Sequence, residues 1–244
     1  MNLTDVDDLE LFSGKPLMVK DVCLVYHPTL LDIAKIGQPN FYNYISLLTA
    51  DKTELLENAQ DMSEIIYLIA TSLISEEFFD LIKQAFRFFI KEEIIILPEL
   101  QMIRIGDSED RRFLDNDSFV ILQEYIRKIC MLNEKKIEEF DGNEHVKRIK
   151  EKIRKGQALV AKIKAKEGRD ENNPQLVDLI SSFLARATEV DIHTIWDMPY
   201  YMFQIQFRRM QMIEEYETNL KASLAGAKIP KEQMKHWIRK IQEK

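Results

Sequence analysis

The chain has 244 residues with an apolar content of 45%, which is enough to fill the core of one large domain or two small ones. Seven glycines and seven prolines are too few for a fibrous repeat, a long disordered linker or a glycine-rich phosphate-binding enzyme. The net charge of −7 disfavours nucleic acid, although it is unevenly spread: residues 1–132 carry −11, residues 133–170 carry +4, and residues 171–244 are neutral.

The N-terminal part predicts a short β-hairpin followed by two helices. Apolar, partly β-branched residues at 17–19 and 22–26 favour two strands with a tight connection. Thr29 suits the position that caps a helix over 30–36. Pro39 then favours the first turn of a second helix, because its fixed φ matches the helical value.

The next part predicts two more helices and a second hairpin. The expected bounds are helix 64–73 capped by Ser63, helix 76–90 capped by Ser75, strands 94–97 and 100–105, and a charged loop over 106–112. The second helix is apolar on most sides. We therefore expect it to be deeply buried or partly covered by a partner.

Two apolar stripes then flank Asp141-Gly142-Asn143. The first consists of Phe119, Leu122, Ile126 and Ile129 on a helix predicted over 118–133, and the second of Val146, Ile149, Ile153, Val160 and Ile163. Steps of three and four place each set on one side of a helix. A glycine-containing turn between them predicts a protruding antiparallel helical hairpin with coiled-coil spacing. The second stripe could equally pair with another copy of the chain, which leaves a homo-oligomer open.

The C-terminal part predicts three helices: 175–187, a long helix capped by Thr194 and running to 224, and an amphipathic helix opened by Pro230 with Met234, Trp237, Ile238 and Ile241. The long helix carries an aromatic ridge of Trp196, Tyr200, Phe203, Phe207 and Met210. We expect most of this ridge to pack in the core. Tyr201 lies off the ridge beside Met198 and Met202, where it could form an exposed contact surface for a partner.

These patterns predict a mainly α protein with minor β structure. The fold would be a helical bundle with two short β-hairpins and the protruding helical hairpin. The expected regions are an N-terminal α+β region over 1–115, the helical hairpin over 116–168, and a C-terminal helical region over 169–244 that packs back on the first. No stretch approaches the roughly 20 apolar residues that span a membrane, and we expect a soluble intracellular protein.

The sequence offers no pattern for catalysis, a metal or a cofactor. The four histidines lie far from one another, and neither a metal-binding spacing nor a nucleophile motif occurs. Cys23 and Cys130 sit in apolar surroundings, which predicts buried free thiols in a reducing compartment. We therefore expect a non-enzymatic protein without a cofactor.

Two segments near the ends of the chain resemble a known family. The first contains Lys15-Pro16-Leu17, His27-Pro28-Thr29-Leu30, Ile33, Ile36-Gly37 and Phe41-Tyr42-Asn43-Tyr44; the second contains residues 178–182, Ile195-Trp196-Asp197-Met198-Pro199-Tyr200-Tyr201 and Gln206-Phe207-Arg208. This pattern resembles proteins from the tail modules of phages and prophages of Gram-positive bacteria. In size and layout they are similar to tail-assembly chaperones.

The resemblance implies a soluble, largely helical, non-catalytic protein of the host cytoplasm. Such chaperones bind the tape-measure protein and help to recruit tail-tube subunits, so the aromatic ridge, Tyr201 and the second stripe would contact partner helices. A structural virion or baseplate component is the alternative. A third interpretation is nucleic-acid binding through a basic cluster of Lys147, Arg148, Lys150, Lys152, Arg154 and Lys155. An enzyme ranks last.

Overall fold

The computed structural model describes residues 6–49, 61–106, 112–132 and 174–241. The chain divides into two compact units, residues 1–133 with 189–244, and residues 134–188. The described part is mainly helical with minor β structure, as the sequence predicts. Its elements are α1 (Asp8–Phe12), β1 (Leu17–Val19), β2 (Cys23–Val25), α2 (Leu30–Ile36), α3 (Gln38–Thr49), α4 (Glu64–Ser72), α5 (Glu76–Ile90), β3 (Ile94–Leu97), β4 (Met102–Ile105), β5 (Arg112–Leu114), α6 (Asn116–Ile129), α7 (Leu176–Leu184) and α8 (Tyr200–Leu224). The three predicted regions stay predictions.

The N-terminal hairpin is confirmed, with a longer turn than predicted. β1 pairs antiparallel with β2 so that Val19 lies opposite Cys23. Val22 therefore belongs to the turn, where its N–H donates to the carbonyl of Val19 over 2.7 Å. Lys20 and Asp21 have φ values of 42° and 57°. Left-handed residues of this kind let a tight turn follow the twist of the two strands.

Short polar side chains begin the helices as predicted. The Thr29 hydroxyl accepts from the Asp32 N–H over 3.1 Å, and the Asp32 carboxylate accepts from the Thr29 N–H over 3.2 Å. This reciprocal capping box satisfies two backbone donors that the first turn of α2 leaves open. Ser63 and Ser75 cap α4 and α5 with a single bond each, which the hydroxyl oxygen accepts from the backbone N–H of Ile66 and Phe78 respectively.

The core of the first unit lies where α3 and α4 each pack against both α5 and α6. α5 buries Ile82, Ala85, Phe86, Phe89 and Ile90. The first apolar stripe is also fully buried on α6, and the Phe86 and Phe119 rings lie 6.4 Å apart. α6 ends at Ile129 and not at residue 133. The second stripe lies outside the described residues, so the helical hairpin stays a prediction.

The second hairpin is confirmed as part of a larger sheet. β3 pairs with β4, and β5 adds a third antiparallel strand on the other side of β4. β5 begins at Arg112, where the sequence predicted the end of a loop. The Arg112 guanidinium donates twice to the Glu92 carboxylate, over 2.6 and 3.1 Å, and once to the Val22 carbonyl. These tertiary contacts hold a three-residue strand that its local sequence does not favour.

The long C-terminal helix starts later than predicted. Pro199 separates α8 from a 3₁₀ turn at Ile195–Asp197, because the residue before a proline avoids the helical conformation. Met198 is accordingly extended, with ψ 128°. The prediction that Thr194 caps the helix is wrong, because Pro199 directly precedes α8 and the Thr194 hydroxyl donates instead to the Asp191 carboxylate over 3.1 Å.

The predicted last helix is also wrong. Residues 231–241, the C-terminal strap, contain one 3₁₀ turn at Lys231–Gln233 and are otherwise irregular. A helix this short is marginal without a packing surface, and the strap buries none of its residues completely. Among the described helices none is both long enough and apolar enough to span a membrane.

Candidate functional site

The two stretches of chain that form the first unit meet in a junction between the start of α2 and the start of α8. The Tyr200 N–H donates to the Pro28 carbonyl over 2.8 Å, and the Leu30 N–H donates to the Met198 carbonyl over 3.1 Å. Thr29 and Pro199 form an isolated antiparallel bridge between these bonds. The junction thus fixes where α8 begins relative to the N-terminal part of the chain.

Close packing at the junction depends on Gly14. This residue has φ +69°, a conformation that side chains disfavour, and a Cβ atom there would lie 2.9 Å from Cγ of Pro199. Both the backbone conformation and the neighbouring proline ring therefore require glycine. The segment that follows α1 can then approach the start of α8 closely.

His27 is buried at the same junction, with 7% of its surface exposed. Its ring meets the Tyr201 ring edge-on, with centroids 6.4 Å apart, and neither ring nitrogen has a hydrogen-bond partner. Burial lowers the pKa of His27 to about 4, although the nearby Lys15 backbone opposes this shift. His27 is therefore a neutral side chain at physiological pH.

A groove of about 1220 Å³ opens beside the junction, within the first unit. Its walls are α1 with the preceding Asp7, one side of α8, and the C-terminal strap; Met131 also lines it. The apolar part of its lining consists of Leu9, Phe12, Met131, Ile205, Trp237 and Ile241, together with the Tyr201 ring. Tyr201 is thus shared by the groove and the junction.

Helical spacing explains how α8 supplies both a core surface and a groove wall. Tyr200, Phe203 and Phe207 are buried, with the Phe203 and Phe207 rings 6.0 Å apart. Ile205 and Arg209 follow Tyr201 at intervals of four residues, which places all three on one side of the helix, lining the groove. On the opposite wall, buried Leu11 anchors α1 and leaves Leu9 73% exposed.

The strap is attached to α8 by polar contacts. The Arg209 guanidinium donates to the backbone carbonyls of Trp237 and Arg239, and the Asn219 side chain donates to the Gln233 carbonyl over 2.9 Å. The ring of His236 also lies 5.1 Å from that of Tyr216. The strap therefore forms a groove wall without entering the hydrophobic core.

The two outer walls differ in charge. Asp7 and Asp8 lie at the α1 wall, whereas the α8 and strap walls carry Arg209, Lys235, Arg239 and Lys240. The Lys240 Nζ atom lies 4.0 Å from Oδ2 of Asp8, and the Arg239 Nη2 atom lies 3.9 Å from Oε2 of Glu215. Exposed ion pairs at these distances contribute little to stability. They leave the charged groups available to an incoming ligand.

The predicted contact residues divide between the core and the groove. Tyr200, Phe203 and Phe207 are buried in the first unit, as expected for most of the ridge, while Trp196 and Met210 are half-buried. Tyr201 is buried rather than exposed, although its ring lines the groove. Val146, Ile149, Ile153, Val160, Ile163 and the basic cluster over 147–155 lie outside the described residues.

The α1 and strap walls of the groove were not predicted from the amino-acid sequence. The four-residue spacing of Tyr201, Ile205 and Arg209 could have indicated a second side of the long helix for binding. α1 and the strap come from opposite ends of the sequence, and no local pattern connects them.

Both cysteines, Cys23 and Cys130, are free and buried. Burial raises the pKa of the Cys23 thiol to about 12, and burial also raises that of Cys130, so both thiols stay protonated and unreactive. Within the described ranges, no group of three or more histidine, cysteine, aspartate and glutamate side chains is placed to hold a metal ion.

Residues 165–242 match a family model described as the second domain of YomV, a prophage-associated protein of Bacillus. The match includes α8 and the strap, and therefore two of the walls of the groove. No curated protein and no solved structure matches the chain.

Proposed function

We propose that this chain is a non-catalytic protein of a phage or prophage tail module, of the tail-assembly chaperone type. It would bind an amphipathic helix of a tape-measure or tail-tube protein in the groove between α1, α8 and the strap. The observation that carries this proposal is the groove itself, which combines an apolar lining with charged outer walls. An amphipathic helix placed in a groove needs both properties.

The volume of the groove is large enough for about three turns of a helix. A helix about 10 Å in diameter that rises 1.5 Å per residue fills 1220 Å³ with roughly ten residues, or about three turns. Three turns present apolar side chains at three or four positions on one side. The match of residues 165–242 to a prophage-associated domain supports the phage setting.

A pull-down with the tape-measure protein of the same tail module tests the proposal. We expect the native chain to retain that protein and Ile205→Glu to lose it, because a carboxylate in the apolar lining would have to be desolvated. Ile238→Glu is the matched control, since Ile238 belongs to the strap but is 69% exposed and does not line the groove.

Failure of the native chain to retain the tape-measure and tail-tube proteins would contradict the proposal. Equal losses for the two variants would place the binding surface elsewhere. A chaperone leaves before the tail is complete, so we expect the chain in infected or induced cells and not in purified particles. Its presence in particles would support the alternative, a structural virion or baseplate component.

A further inference from the structure

The charge of the groove is opposite to the charge of the chain. Four basic side chains and two acidic ones line it, so its local balance is +2, whereas the whole chain carries −7. The basic groups lie on α8 and the strap, and the acidic groups lie at α1. Any charged occupant therefore meets a field inside the groove that differs from the field at a distance.

The basic side chains of the strap that line the groove make at most weak ion pairs within the described residues. Lys235 makes no ion pair within the part of the chain that the structure describes, and Lys240 approaches Asp8 only at 4.0 Å, with both side chains largely exposed. Arg239 is similarly weakly paired with Glu215, at 3.9 Å. Carboxylates of a ligand could contact these groups without first breaking a strong interaction.

We propose that the occupant of the groove is an amphipathic helix whose apolar stripe is bordered by aspartate or glutamate on the flank that faces the strap. This inference rests on the proposed helix-binding function and adds the chemistry of the partner. The stripe would contact Phe12, Ile205 and Trp237, while the acidic flank would contact Lys235 and Lys240. A nucleic acid fits less well, because phosphates would meet an apolar lining and the carboxylates of Asp7 and Asp8.

The direction of the charge preference makes the inference testable. If only the net charge of −7 mattered, a basic peptide would bind better than an acidic one. The basic side chains of the groove predict the opposite, that the acidic peptide binds more tightly than the basic one. Two synthetic peptides of about 18 residues, long enough to form a helix, can carry the same leucine and isoleucine stripe with either glutamate or lysine on the flanks.

Fluorescence of Trp237 can report binding at the groove directly. The chain has two tryptophans, so Trp196→Phe leaves Trp237 as the single reporter. In this background we expect the glutamate peptide to bind about tenfold more tightly than the lysine peptide, as for two favourable charge contacts. Lys235→Glu/Lys240→Glu should abolish or reverse that preference.

The matched control changes the net charge equally at other sites. Lys228→Glu/Lys231→Glu alters two exposed lysines beside or within the strap that do not line the groove, and it should keep the preference for the glutamate peptide. Unchanged Trp237 emission in each free variant would show that the strap has kept its position.

Each result has a distinct meaning. If the lysine peptide binds the parent protein as well or better, or if the two charge-reversed variants behave alike, the inference about the partner is overturned while helix binding stands. If neither peptide binds, the helix-binding function fails as well. A single-stranded oligonucleotide that binds and competes at Trp237 would replace the helix by a nucleic acid.

Discussion

α5 and the C-terminal strap both carry apolar residues at helical spacing, but only α5 is a helix. α5 buries five side chains, including Phe86 and Phe89, against neighbouring helices. The strap buries none completely and is held by side chains of α8 that bind its backbone. An amphipathic pattern therefore indicates where a helix could form, but the helix forms only where its apolar side can pack against a complementary surface.

The comparison is tested most strongly by removing one large apolar side chain from each region. Phe86→Ala should lower the free energy of unfolding by about 3 to 5 kcal/mol, because it leaves a cavity in a closely packed core. Ile238→Ala in the strap should change it by less than about 0.5 kcal/mol. Urea denaturation measures both values, and similar losses would mean that the strap belongs to the core.

A second test concerns His27, a polar side chain buried like a core residue. Its pKa of about 4 lies below the unfolded value of about 6.5, so the unfolded chain binds the proton more readily. The contribution of His27 to the free energy of unfolding should therefore be fully present above pH 6.5 and should fall by about 3 kcal/mol as the pH drops towards 4. Above pH 7, His27 should make no contribution to the pH dependence of the free energy of unfolding.

His27→Phe keeps an aromatic ring and removes the titration, so its stability should fall less between pH 6.5 and 4. His193→Phe is the control, because His193 is exposed and its substitution should leave the pH dependence unchanged. Denaturation curves across this range give the difference directly. Parallel curves for all three proteins would refute the assignment of this pH dependence to His27.

The smallest expected effect on global stability comes from Arg209. Arg209→Gln shortens the side chain that donates to two strap carbonyls, and it should cost less than about 1 kcal/mol. The strap itself should loosen, so trypsin should cleave at Lys235 several-fold faster. Lys221→Gln, which alters an exposed lysine on the same helix, should leave that rate unchanged. Equal cleavage rates would show that other contacts hold the strap.

The sequence predicted the elements that depend on interactions between neighbouring residues, but it did not predict those that depend on contacts between distant residues. The caps at Thr29, Ser63 and Ser75 and the paired strands of the two hairpins depend on neighbouring residues, and they are confirmed. β5 depends on the pairing of Arg112 with Glu92, twenty residues away, and was missed. Pro199 could have been used to place the start of α8, because it limits the conformation of Met198.

The candidate site was harder to predict than the fold. The sequence identified Tyr201, although as an exposed residue, and it assigned the aromatic ridge mainly to the core. The groove depends on α1, α8 and the strap meeting in space, and backbone bonds between residues near Pro28 and Tyr200 help to bring these distant parts of the sequence together. Such bonds leave no periodic signature in the amino-acid sequence.

The bridge between Thr29 and Pro199 closes the intervening chain into a ring. Apart from Met131, the groove is built from the two segments outside this ring, the N-terminal arm before Thr29 and the C-terminal arm after Pro199. The entropy of closing a ring changes only slowly with its length. Related proteins could therefore gain or lose residues between Thr29 and Pro199 and keep the same binding surface. We expect length variation to collect inside the ring, while the arms keep their spacing.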